Sequence, residues 1–196
     1  MRANRPGFTT LTLALIPVAI AINLAAGQLV LALRIPIYGD SIGTVLAGVL
    51  AGPWAGALTG FLTNIVRALS GLNPNAAPFA IVAAVIGLLA GLFAGRGWLR
   101  SWWQVLVAGL ITGLVAAIIS APIAAYLFGG VMGSGTDALV AFFRKMGFGV
   151  LRSSLGQGVV SDPIDKAVAF VLVWLIVRSL PGRFLARFPR ADKVAR

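Results

Sequence analysis

Five aspartates are the only acidic side chains in this 196-residue chain: Asp40, Asp137, Asp162, Asp165 and Asp192. There is no Glu, no His and no Cys. Those absences exclude His-based triads and HExxH zinc sites. They also exclude thiol nucleophiles and disulfides, and they remove the commonest general base. Asp162 and Asp165 form the nearest acidic pair, and two carboxylates are thin support for a catalytic metal site. No GxxxxGK[ST] phosphate loop is present. The expectation is a protein that is not an enzyme and carries no metal or cofactor. Its polar residues then act by hydrogen bonding, charge and shape.

The elements that position them are apolar. Hydrophobic residues make up 59% of the chain and charged ones 11%, far from the balance of a soluble domain. With roughly 20 residues per crossing, the apolar blocks leave room for about six spans. We read them as Thr9–Leu33, Asp40–Ala51, Trp54–Leu69, Ala76–Ala94, Ser101–Phe128 and Pro163–Leu180. The fold class is therefore an all-α membrane protein, a bundle of about six transmembrane helices forming a single domain over 1–196. The second span is short, and only Gly52 and Pro53 separate it from the third, which fits a tight helical hairpin or a broken helix. Arg2 and Arg5 before an apolar run resemble a signal peptide. The run continues to about Leu33, so a retained first helix is expected.

Net charge is +11, but the basic residues sit between and after apolar blocks and form no nucleic-acid-binding face. They set topology instead. With six spans and the N-terminus inside, the cytoplasmic side holds Arg2, Arg5, Arg96, Arg100, Arg178, Arg183, Arg187, Arg190, Lys193 and Arg196. The outer side holds Arg34, Arg67, Arg144, Lys145, Arg152 and Lys166. Ten against six favours cytoplasmic N and C termini in a bacterial inner membrane. Residues 181–196 then form a basic cytoplasmic tail. Residues 129–161 form a long outer loop, whose apolar and basic stretch Thr136–Phe148 is either an interfacial helix, a lid or an ordered surface loop.

Polar side chains inside a membrane are costly and need a reason. Gln28, Asp40, Asn64, Arg67, Asn75, Gln157, Asp162 and Asp165 all fall in the outer half of the six-span arrangement or its loops. Together they read as the wall of an outward-facing pocket for a small polar solute, with Trp54, Phe79 or Tyr126 as candidate apolar lining. Several polar residues also have a structural reading. Asp162 can cap a helix starting at Pro163, with Asp165 at its positive end and Lys166 paired to Asp162. Arg67 can snorkel to headgroups, Asn23 can bond between helices, and Asp40 can cap the second span. Small residues recur every fourth position: Gly87, Gly91 and Gly95; Gly109, Gly113, Ala117, Ala121 and Ala125; Gly56 and Gly60; Ala47 and Ala51; Ala21 and Ala25. Such rows either close the bundle or dock another membrane protein.

The run from Ile35 to Asn64 (with Tyr38-Gly39-Asp40-Ser41 near its start), Pro78-Phe79 with Ala83–Gly91, and Ser161-Asp162-Pro163-Ile164-Asp165-Lys166 resemble one known family. It is that of the substrate-binding S components of energy-coupling factor (ECF) vitamin transporters. The resemblance implies six helices and a high-affinity pocket near the outer face. It implies uptake of a vitamin, vitamin precursor or nucleoside-like solute. It implies a membrane partner, the T component, and two cytoplasmic ATPases that hydrolyse ATP while the loaded S component topples to deliver its ligand. It also implies that an Ala-x-x-x-Ala pattern in the first helix docks on the T component, which Ala21 and Ala25 match by spacing. The competing classes are a membrane sensor or interaction module of a signalling system and an intramembrane enzyme.

Overall fold

Helix α2 (Ile42–Ala51) is apolar on every side, and its residues Gly43 to Leu50 are all buried. A helix of that kind has no face for water, and at ten residues it is too short to cross a bilayer alone, which favours a place among other helices. The computed structural model, which describes residues 9–188, places it so: α2 packs against α1 (Thr10–Ala32), α3 (Pro53–Leu69), α4 (Ala80–Gly95) and α7 (Val150–Ser179). A 3-10 segment, Pro74–Phe79, leads into α4. The longest partnership joins α5 (Trp102–Phe128) to α7, with the short amphipathic α6 (Asp137–Lys145) lying on α7; α8 (Gly182–Leu185) follows. Every regular element among the described residues is a helix. Three stretches are long and apolar enough to cross a membrane by themselves: Thr10–Ala32, Pro74–Gly95 and Trp102–Phe128. The outward surface carries Leu13, Val18, Ile81, Leu114, Ile118 and Leu175, as a lipid-facing shell requires.

The turn between α2 and α3 is Gly52 alone, at φ 105°, followed by Pro53 in the first turn of α3. That backbone angle favours glycine, and Pro at a helix start loses no hydrogen bond. The chain doubles back there as a helical hairpin, with Gly56 of α3 against Gly48 of α2.

Small residues set the helix spacing. A methyl group on Gly87 of α4 would run into the backbone of Gly56, and one on Gly113 of α5 into Pro163 and Asp162 of α7. The glycine rows of α3, α4 and α5 are thus used up inside the bundle. Ala21 and Ala25 differ: both are exposed on α1.

The last long helix departs from the sequence expectation. It begins at Val150, not Pro163, and Pro163 lies within it. Residues 129–161 therefore hold α6 and the first turns of α7, where a long loop was expected. The polar and small residues Ser153, Ser154, Gln157 and Gly158 lower the hydropathy there and hide the helix. They are buried, and Gly158 packs on Ala117 of α5. Pro163 is tolerated because α7 is clamped against α5 at that level. The topogenic residues Arg2, Arg5, Arg190, Lys193 and Arg196, the acid Asp192 and residues 189–196 of the basic tail lie outside the described residues.

Candidate functional site

The first turn of α2 is capped from a neighbouring helix. Ser41 occupies the N-cap position but makes no side-chain cap bond. The fully buried Asn23 of α1 supplies it: its Oδ1 accepts from the amides of Gly43 at 2.7 Å and Thr44 at 3.3 Å. Its Nδ2 donates to Thr44 Oγ1 at 2.8 Å and Thr63 Oγ1 at 3.0 Å, tying α1 to both arms of the hairpin. All four bonding positions of the amide are occupied, so Asn23 fixes the frame and has no capacity left for a ligand.

Above that frame sits a buried ionic cluster. Arg67 Nη1 from the end of α3 donates to Asp40 Oδ2 at 2.8 Å. Lys166 Nζ of α7 donates to Ser41 Oγ at 2.8 Å and to Asp165, and lies 3.7 Å from Asp40. Asp165 also accepts from the amides of Tyr38 at 3.2 Å and Gly39 at 2.7 Å, which pins the loop between α1 and α2 to α7. The Tyr38 hydroxyl accepts from Gln157 Nε2 at 3.0 Å and Thr136 Oγ1 at 3.3 Å. The Lys166 ammonium lies 5.7 Å from the centre of the Tyr38 ring. In that loop, burial pushes the Asp40 carboxyl up, but the charges of Arg67 and Lys166 and the bonds from Arg67 and Ser41 outweigh it and hold its pKa at about 2.

A cavity of about 110 Å³ opens beside this cluster, with Tyr38, Asp40, Asn64, Arg67, Phe79 and Asp162 on its wall. Thr63, Ser120, Met132, Ser134 and Lys166 join them, with aliphatic side chains of α4 and α5 such as Val82, Ile86 and Ala116 behind. A second cavity of about 260 Å³ adjoins it, sharing Tyr38, Asp40, Arg67, Asn73, Met132 and Ser134 and adding Gln28 and Asn75. Asn64 turns its Nδ2 to the Phe79 carbonyl at 2.9 Å, fixing the entry to α4. The buried Arg67 Nε has no hydrogen-bond partner.

The sequence-derived residues thus separate into groups. Asp40, Asn64, Arg67 and Asp162 stand on the first cavity, and Gln28 and Asn75 on the second, which Asp40 and Arg67 also reach. Gln157 and Asp165 line neither; they hold Tyr38 and its loop in place. Of the proposed apolar lining, Phe79 is on the wall, while Trp54 and Tyr126 are 72% and 74% exposed on the outside. Three local readings give way. Asp162 is no helix cap, because α7 is already helical there and the residue is buried. Lys166 pairs with Asp165 and Asp40 instead of Asp162. Arg67 is buried in an ion pair, which excludes snorkelling. Sequence reasoning left Tyr38, Ser120 and Ser134 unassigned; the Tyr38-Gly39-Asp40-Ser41 run was the available signal for the first of them.

A buried ionic network beside a cavity, inside an apolar helical shell, suits binding of a polar solute within a membrane. The family model for the ECF transporter substrate-specific component matches residues 9–188. The chain belongs to that family. No curated protein and no solved structure gives a significant match. ECF substrate-specific components are integral membrane subunits that bind small-molecule substrates and associate with T and ATPase subunits; the ATPase activity resides in those partners. As an ECF S component, this chain is a substrate-specific transport subunit, and the cavity beside Asp40 and Arg67 is its candidate binding site.

Proposed function

We propose that this ECF S component captures a small vitamin, vitamin precursor or nucleoside-like solute at the outer face of a bacterial inner membrane and passes it to a T component and two ATPases for ATP-driven uptake. The observation that carries this reading is the gathering of Asp40, Asn64, Arg67 and Asp162 around one cavity at a single end of the bundle. The cavities are small, which fits a compact solute better than a drug-sized one.

Six crossings, α1 to α5 and α7, with both termini cytoplasmic, put that end outside. The opposite end carries Trp98, Trp102 and Trp103 beside Arg96 and Arg100, the signature of an inner interface. Residues Met132 to Thr136 close over the mouth, with Thr136 bonded to Tyr38, and act as its lid. Gln28 and Asn75 guide the solute through the outer cavity. Ala21 and Ala25, exposed on α1, dock the T component.

Native mass spectrometry of the detergent-purified protein, alone and co-expressed with T and ATPase subunits, tests this. A retained small-molecule mass and a four-subunit assembly are expected. A ligand-free chain that assembles with none of these subunits refutes the reading.

A further inference from the structure

The site holds three carboxyl groups against two cations. Arg67 and Lys166 are matched by Asp40 and Asp165 through the ion pairs described above. Asp162 remains. It is 4% exposed and stands on the cavity wall, and neither cation reaches it as an ion-pair partner. Its one hydrogen bond comes from Ser120 Oγ at 3.5 Å, longer than a normal O–H···O bond. Its Oδ1 accepts none among the described residues. A buried carboxyl with no cation at ion-pair distance and no good donor is expensive to hold ionised in a membrane bundle. Here it lines the cavity.

The same wall keeps one uncommitted donor, Arg67 Nε, already on a paired cation, and one further uncommitted acceptor. Asn64 is committed through its Nδ2 to Phe79, which leaves its Oδ1 without a donor. Resting on the transport reading above, we propose that Asp162 recognises a positively charged, N–H-bearing nitrogen of the captured solute: an amidinium, a protonated amine or a protonated ring nitrogen. The solute supplies the missing cation, and Asn64 Oδ1 accepts a second N–H. A carboxylated or phosphorylated solute would set a second acid against Asp162.

Three isosteric probes separate the classes: benzamidinium, benzamide and benzoate, titrated calorimetrically onto detergent-purified protein. Benzamidinium is expected to bind at least tenfold tighter than benzamide, with benzoate weakest. Asp162→Asn keeps the shape and the Ser120 contact, and is expected to weaken benzamidinium roughly tenfold to a hundredfold while leaving benzamide unchanged. Asp162→Glu keeps the carboxylate and is expected to bind benzamidinium more tightly than Asp162→Asn does. Monodisperse elution and an unaltered melting curve establish that each variant is folded. Benzoate binding as well as benzamidinium, or unchanged benzamidinium affinity in Asp162→Asn, overturns the assignment and leaves a solute pocket standing. No saturable binding of any probe overturns the assignment and counts against the pocket itself.

Discussion

Arg67, at the end of α3, donates to Asp40 in the loop before α2 across 2.8 Å, so the far end of the hairpin and its entry are held by one ion pair. Both side chains also face the cavity. Removing one partner leaves a buried charge uncompensated, which costs more than the pair itself is worth. Asp40→Asn is therefore expected to lower stability by about 3 kcal/mol, read as a lower melting temperature in detergent. Asp40→Asn with Arg67→Met recovers much of that loss but not solute binding.

The same carboxylate sets an acid limit. Burial raises its pKa and the neighbouring cations lower it further, to about 2. An unfolded aspartate titrates near about 4. The stabilisation from Asp40 is complete above that value and is lost as pH falls through it toward about 2. Melting temperature measured against pH is expected to fall in this acid window for the native chain, and that part of the fall is absent in Asp40→Asn.

Asn23 makes four hydrogen bonds in the buried junction of α1, α2 and α3. Asn23→Leu has a similar volume but leaves the Gly43 and Thr44 amides without an acceptor. A loss of about 2–3 kcal/mol is expected, with amide hydrogen exchange speeding up selectively in the first turn of α2.

Two small residues on different faces have opposite consequences. Gly87 faces the backbone of Gly56, so Gly87→Leu forces α3 and α4 apart and is expected to cost about 3 kcal/mol. Ala25 is exposed on α1. Ala25→Leu is expected to leave melting within about 0.5 kcal/mol of the native chain, while reducing recovery of the T component in co-purification.

The chain has no cysteine, so single cysteines report topology without background. Ser134→Cys at the mouth is expected to react with a membrane-impermeant maleimide on intact spheroplasts. Arg178→Cys, at the opposite end of α7, is expected to react only after permeabilisation.

The polar cluster was legible because membrane helices carry so few polar residues that each stands out, and Asp40, Asn64, Arg67 and Asp162 do meet on one cavity. The short α2 and its glycine turn were legible from the apolar run and Gly52-Pro53. The start of α7 was not. Its first turns are polar and glycine-rich, and only packing on α5 and α6 makes them helical. Local rules also misassigned Asp162 and Lys166: a Ser-Asp-Pro sequence reads as a cap, and an i, i+4 spacing reads as a pair. The partners that decide the matter, Asp40 and Ser41, lie on a distant loop. Tyr38 escaped notice for the same reason, since its contacts with Gln157 and Thr136 join segments remote in sequence.

Occupying the cavity with the protein's own atoms tests the account most directly. Ser120 lies on the cavity wall and is only partly buried, so Ser120→Phe projects a ring into the hollow while leaving the Asp40, Arg67 and Lys166 ion pairs untouched. Native mass spectrometry of both proteins from the same host compares what each retains. We expect a small-molecule adduct on the native chain and none on a folded Ser120→Phe. The same adduct at the same occupancy on both would place the solute elsewhere and contradict the account.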